Sequence, residues 1–167
     1  MIPETLTGTA WCYGDNINTD LIYPGRFLTI TKPEEMAKYA LIGVDPKFGE
    51  EVKAGDIIIG GENFGSGSSR EQAAMCLKFA GISAIIARSF ARIFYRNAIN
   101  QGIYTVRSKM ASSIVNHGDK IELNIQKGTI KNITTGKTCD FEPLPEFLLD
   151  IISEGGIIQY LKKANEK

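Results

Sequence analysis

The chain has 167 residues, 43% hydrophobic and 23% charged, and its nineteen basic side chains balance nineteen acidic ones. That length fits one domain over residues 1–167 and buries a real core. The neutral balance excludes a chain whose main task is to coat nucleic acid or an anionic membrane, because both need a positive field. No apolar run approaches the ~20 residues of a membrane helix, and "MIPETLTGTA" lacks the features of a signal peptide. A cytoplasmic location is the expectation.

In chain order, "TAWCYG" reads as a first short strand and "DNINTDLIYPGRFL" as an irregular segment punctuated by Pro24 and Gly25. "TKPEEMAKYAL" predicts a helix with Thr31 as N-cap, Pro33 in the first turn and two acidic residues near its start. "GVDPKFGEEVKAGD" reads as a surface connection and "DIIIGG" as a buried strand. The loop "GENFGSGSSREQAA" follows, and "SREQAAMCLKFAG" predicts a helix ending at Gly81. "SAIIA" is a strand, "SFARIFYRNAINQG" a helix ending at Gly102, and "IYTV" a strand. Helix and strand thus alternate from Ser68 to Val106, which implies a parallel core. "DKIELNI" and "GTIKNITTG" alternate as a hairpin and its extension, and "PEFLLDIISEGGIIQYLKKA" closes with helices broken at Gly155-Gly156. The fold class is α/β with a mixed, partly parallel sheet.

Cys12, Cys76 and Cys139 are scattered and form no C-x-x-C pair, so the chain shows no local zinc or iron–sulfur ligand set. They read as buried thiols. The lone histidine, His117 in "NHGD", reads as a solvated loop residue.

The loop at residues 61–74 admits three readings. Ser68-x-x-Glu71 fits a capping box, with the glycines allowing a sharp turn; this leaves Arg70 unexplained, since a cation in the first helical turn opposes the dipole. The second reading is an anion site, in which unpaired amides and a bidentate arginine hold a carboxylate. The nucleotide motifs fail: there is no P-loop lysine, and the third glycine of the dinucleotide fingerprint is missing. The third reading is a catalytic serine whose alkoxide is stabilised by amides and positive charge.

"GENFGSGSSREQA" resembles the signature of the swivel domain of the aconitase superfamily, most closely the small subunits of the isopropylmalate dehydratase and homoaconitase group. "GDNINTDLIYPGRFL", "ARSFARIFYRNAINQG" and "GGIIQYLKK" agree in the same order, so the resemblance spans about Gly8 to Lys163. The family often has cysteine where this chain has Ser66. The resemblance implies a single swivelling β/β/α domain and a hydro-lyase that removes and re-adds water next to a carboxylate. It places a [4Fe-4S] cluster on a separate large subunit and none on this chain. It makes Ser68 the group that takes the proton from carbon, Arg70 the clamp on a substrate carboxylate, and Ser69 a further hydrogen-bond donor. Asp20, in "NTDLI", becomes an active-site carboxylate that orients the basic groups; read without the resemblance, it is an Asx-turn residue.

The resemblance also gives "YPGRFLTIT" the choice of substrate. Homoaconitases of the group show a "YLRT" pattern whose arginine meets an extra carboxylate; here Thr29 stands at that place with Ile30 after it. The alternative is that Thr29 and Ile30 only pack the loop. The implied reaction is the interconversion of 2- and 3-isopropylmalate in leucine biosynthesis. Homoaconitase, citramalate or dimethylmalate dehydration, a non-catalytic carboxylate-binding module and a purely structural partner subunit are the rivals. The implied partners are a large iron–sulfur subunit and a di- or tricarboxylate, with no nucleic acid and no membrane.

Overall fold

A computed structural model describes residues 2–167. Seven strands form one mixed sheet in the order β4-β3-β2-β1-β5-β6-β7. They are β1 Thr5–Cys12, β2 Ile57–Ile59, β3 Ala84–Ala87, β4 Tyr104–Arg107, β5 Lys120–Asn124, β6 Thr129–Asn132 and β7 Thr138–Asp140. Strands β1 to β4 run parallel, and β5 to β7 continue the other side of β1 in antiparallel pairing. The helices are α1 Thr19–Ile22, α2 Pro33–Lys38, α3 Phe48–Glu51, α4 Glu71–Phe79, α5 Arg92–Asn100, α6 Ala111–Ile114, α7 Glu146–Ser153 and α8 Ile157–Asn165.

The sheet divides the apolar residues into two cores. Ile58 and Ile85 face a cluster closed by Met36 of α2, Phe48 of α3, Ala73 and Leu77 of α4, and Phe94 and Ala98 of α5. Ile57, Ile59, Ile86 and Val106 face a second cluster with Ile121, Leu123 and Ile130 of the antiparallel strands and Ile151 and Ile152 of α7. Because β2 and β3 are covered on both faces, every residue in them is buried, which is why their sequences are unbroken apolar runs. Crossovers that step in one direction with one hand put their helices on one face; α2, α4 and α5 all lie there. The sheet curls into a half-barrel until its outer strands meet at one end. The Ser108 hydroxyl donates to the Asp140 carbonyl at 2.8 Å, and the Glu142 amide to the Arg107 carbonyl at 3.0 Å.

Several local expectations need correction. Strand β1 starts at Thr5, because Thr5 to Thr9 pair with β5 while Ala10 to Cys12 pair with β2. That first half has no apolar run to announce it; its partner lies more than a hundred residues away. Helix α2 takes Pro33 at its first turn as expected, but Lys32 is its N-cap and Thr31 makes no capping bond. The connection after it holds α3, whose Phe48 meets the Trp11 ring edge-on with centroids 4.8 Å apart. His117 is exposed as expected, yet its Nδ1 accepts a hydrogen bond from the Cys12 amide at 3.2 Å. Among the thiols Cys76 alone is fully buried; Cys12 and Cys139 are half-buried.

Candidate active site

Loops after β1, β2 and β3 leave the same end of the parallel strands, the end where open α/β sheets place their ligands. The loop after β2 is clamped on both sides. Toward β3, the Phe64 amide donates to the Ser89 carbonyl at 3.0 Å and the Ala91 amide to the Phe64 carbonyl at 2.9 Å. Toward β1, the Gly65 amide donates to the Ile17 carbonyl at 2.7 Å and the Thr19 amide to the Ser66 carbonyl at 2.8 Å. Gly65 and Gly67 adopt φ of +83° and +96°, which side-chain-bearing residues rarely do. At Gly65 a Cβ would also fall 2.1 Å from Cγ of Phe94. The glycines therefore let the backbone reverse against α5 and deliver Ser68, Ser69 and Arg70 to the mouth of α4.

The capping-box reading of Ser68 fails here. Arg70 occupies the N-cap of α4, and no side chain caps it. Helix α5 likewise starts from Ala91 with no side-chain cap and a cation, Arg92, as its first residue. Both uncapped starts line one cavity of about 230 Å³, with Thr19, Gly65, Gly67, Ser68, Ser69, Phe94 and Asn97. Unpaired first-turn amides carry a partial positive charge, so two helix starts and two guanidinium groups give the cavity a positive field. A larger hollow of about 660 Å³ lies between the ends of β4 and β7. Of the residues singled out by the sequence it holds only the thiol Cys139, and none of the proposed catalytic or substrate-binding residues. Of its cations, Arg107 pairs with Glu142 at 4.0 Å and Arg88 with Glu62 at 3.9 Å.

Asp20 lies on α1, outside the cavity wall, with its carboxylate exposed. Its Oδ1 accepts from Nη1 of Arg70 at 2.9 Å and from the Gly25 amide at 3.3 Å. The Arg70 bond, then the Gly25 amide, hold its carboxyl below the usual carboxylate range. Nη1 of Arg70 also donates to the Tyr23 carbonyl at 3.1 Å. One nitrogen of the fork is thus anchored, and among the described residues its other nitrogens make no hydrogen bond. Exposed ion pairs add little stability, so this pair orients the guanidinium more than it holds the fold.

Thr29 is exposed and Ile30 is half-buried against the core on the helical face. Neither lines the cavity, and the Arg26 guanidinium stacks on Phe27, 4.6 Å from its centroid. Sequence reasoning missed Arg92 and Thr19. Arg92 carried the same signal that marked Arg70, a cation in a first helical turn. Thr19 carried none, because it reaches the cavity through a hydrogen bond to a residue forty-nine positions away.

The thiols of this chain do not suit an iron–sulfur cluster. Cys76 donates to the Ala73 carbonyl at 3.2 Å in the core, Cys12 to the Val115 carbonyl at 3.7 Å, and Cys139 sits 3.8 Å from the Ser108 hydroxyl. Burial pushes all three toward the protonated form, Cys12 up to about 11 with help from Asp119, whereas a ligand is a thiolate. Among the described residues no group of three or more His, Cys, Asp or Glu side chains gathers as a metal site would require.

The profile of the aconitase C-terminal domain matches residues 15–111. The isopropylmalate/citramalate isomerase small subunit of Methanocaldococcus jannaschii is 53% identical over 95% of this chain and 94% of its own. A 3-isopropylmalate dehydratase small subunit of Thermotoga maritima is 50% identical over 95% of both. The crystal structure of 3-isopropylmalate dehydratase from Methanocaldococcus jannaschii superposes with a TM-score of 0.92 at 42% identity, covering 97% of this chain and 96% of that one. With a helix-start cavity built by the matched segment and likeness along nearly its whole length, the chain belongs to the aconitase C-terminal domain family, among the relatives of the 3-isopropylmalate dehydratase small subunits.

Proposed function

We propose that the chain is the small subunit of a 3-isopropylmalate dehydratase, a cytoplasmic hydro-lyase of leucine biosynthesis that completes its active site with a large subunit. The observation that carries this reading is the cavity in which Ser68, Ser69 and Arg70 meet two uncapped helix starts. We take residues 1–167 as one swivel domain. The partner is the source of the [4Fe-4S] cluster and its Lewis-acid chemistry; this chain supplies the organic half of the site.

Its own residues divide the work. Ser68 Oγ, at the cavity wall, takes the proton from the carbon next to a carboxylate, and the helix-start amides and nearby guanidinium groups favour the alkoxide that does so. Arg70, anchored through Nη1, turns its remaining nitrogens to a substrate carboxylate. Ser69 donates to the same ligand, and Asp20 fixes the angle of the fork. A cavity of about 230 Å³ suits a small acid rather than a drug-sized ligand.

Thr29 and Ile30 are proposed to shape the branch pocket once the partner closes over their loop. A pocket without a cation rejects an extra carboxylate, whose uncompensated burial costs several kcal/mol, and gains about 0.8 kcal/mol for each buried CH₂-sized unit of an alkyl branch. The test is kcat/KM of the reconstituted pair on 3-isopropylmalate, citramalate and homoisocitrate. Isopropylmalate is expected to lead, and Thr29→Arg to shift preference toward the tricarboxylate. A wild type that prefers homoisocitrate would sink the assignment. Citramalate is the second reading, favoured by the double name of the 53% identical relative, and equal rates on both substrates would support it.

A further inference from the structure

Thr19 is the first residue of α1, where Asn18 caps the helix by accepting from the Leu21 amide. The residue is 3% exposed, and its β-branched side chain has few rotamers open to it. Its amide is tied to the Ser66 carbonyl at 2.8 Å, so its backbone is fixed to the very loop its hydroxyl faces. That hydroxyl meets Ser68 twice. It donates to the Ser68 carbonyl at 2.8 Å, and its oxygen lies 3.5 Å from Ser68 Oγ. Gly67 bends the loop around it; a Cβ there would stand 3.4 Å from Thr19 Oγ1.

A hydroxyl has one proton and two lone pairs. With the proton on the Ser68 carbonyl, a lone pair of Thr19 Oγ1 is left toward Ser68 Oγ–H, at the outer limit of a hydrogen bond. When Ser68 Oγ is an anion, the Thr19 proton can swing to it, and a charge-assisted bond is shorter and about twice as strong as a neutral one. Both uses need the hydroxyl, and the buried, β-branched side chain keeps it in place.

We propose that Thr19 is a positioning residue that orients the Ser68 hydroxyl and holds its deprotonated form through the Thr19 Oγ1–H. The proposal rests on the reading that Ser68 moves the substrate proton. It predicts that Thr19→Val, which keeps shape and loses the hydroxyl, lowers kcat of the reconstituted complex by about 10- to 100-fold. KM should stay within about threefold, because the lost interaction acts mainly in the transition state. Thr19→Ser should recover most of the rate.

The decisive arm is the Thr19→Val, Ser68→Ala double variant. If Thr19 acts through Ser68, Val at 19 costs little further rate once the serine is gone. A merely structural tie would cost the same in both backgrounds, and that result overturns the proposal, as does a folded Thr19→Val with near-wild-type kcat or a Thr19→Ser as slow as the valine variant. Should Thr19→Val fail to fold by melting and complex assembly, Thr19→Cys replaces it. Its weak donor should leave kcat well below that of Thr19→Ser, and parity between the two overturns the idea. If Ser68→Ala alone keeps more than about a tenth of wild-type kcat, the Ser68 reading fails and Thr19 falls with it; an inert Ser68→Ala beside a fully active Thr19→Val removes Thr19 alone.

Discussion

Ser68 does not cap α4, and this separates two effects that the sequence left entangled. Removal of a capping serine would cost about 1 kcal/mol of stability and leave turnover intact. Since Arg70 holds the N-cap position and Ser68 stands at the cavity, Ser68→Ala is expected to leave the melting temperature nearly unchanged. It should lower kcat by about 10²- to 10⁴-fold with little change in KM; calorimetry beside steady-state kinetics checks both halves. Arg70→Lys should instead raise KM, because a point charge cannot reproduce an anchored planar fork. The Arg70–Asp20 pair adds a pH dependence of definite sign. The Asp20 carboxyl is held below its ordinary range, so the pair is intact above the unfolded carboxylate pKa and is lost as pH falls through the lower folded value.

At the scale of elements, the loop between β2 and α4 owes its path to positions where nothing but glycine fits. Gly65 combines φ of +83° with a Cβ position 2.1 Å from the Phe94 ring. Gly65→Ala should cost about 1–3 kcal/mol in backbone strain alone, roughly 2–4 °C of melting temperature for each kcal/mol, and should also depress kcat by displacing Ser68; a thermal melt paired with a turnover assay reads both. Much of this architecture was legible in the residues. Unbroken apolar runs in "DIIIGG" and "SAIIA" marked strands covered on both faces, and Gly81 and Gly102 marked helix ends. The first half of β1 was not legible, because "TLTG" is held by pairing with β5 and carries no local signal. Thr19 was hidden for the same reason: its two bonds to Ser68 join segments that only the sheet brings together. Thr29 and Ile30 lie away from the cavity, and the branch pocket proposed for them would need a second chain, whose contacts a single subunit does not contain.

Taken as a whole molecule, the chain offers under the proposed function only half of a site. Its cavity gathers Ser68, Ser69 and Arg70, the groups proposed for proton transfer and carboxylate binding, while its thiols are held toward their protonated forms. The purified chain alone is therefore expected to show no dehydratase turnover and no stoichiometric iron or sulfide, and both should appear when the large subunit is added; colorimetric iron and sulfide assays before and after reconstitution check this. The curl of the sheet bears on how such a half-enzyme survives unpartnered. Its acidic and basic residues cancel, so it has little colloidal repulsion to keep copies apart. Open strands are the usual template for misassociation, but here the outer strands span only Tyr104–Arg107 and Thr138–Asp140, and Ser108 and Glu142 stitch them to each other at one end. With so little free backbone to offer, the sheet gives another chain a poor template for adding a strand, and on the proposed function the large subunit is expected to engage the loops and helix starts instead.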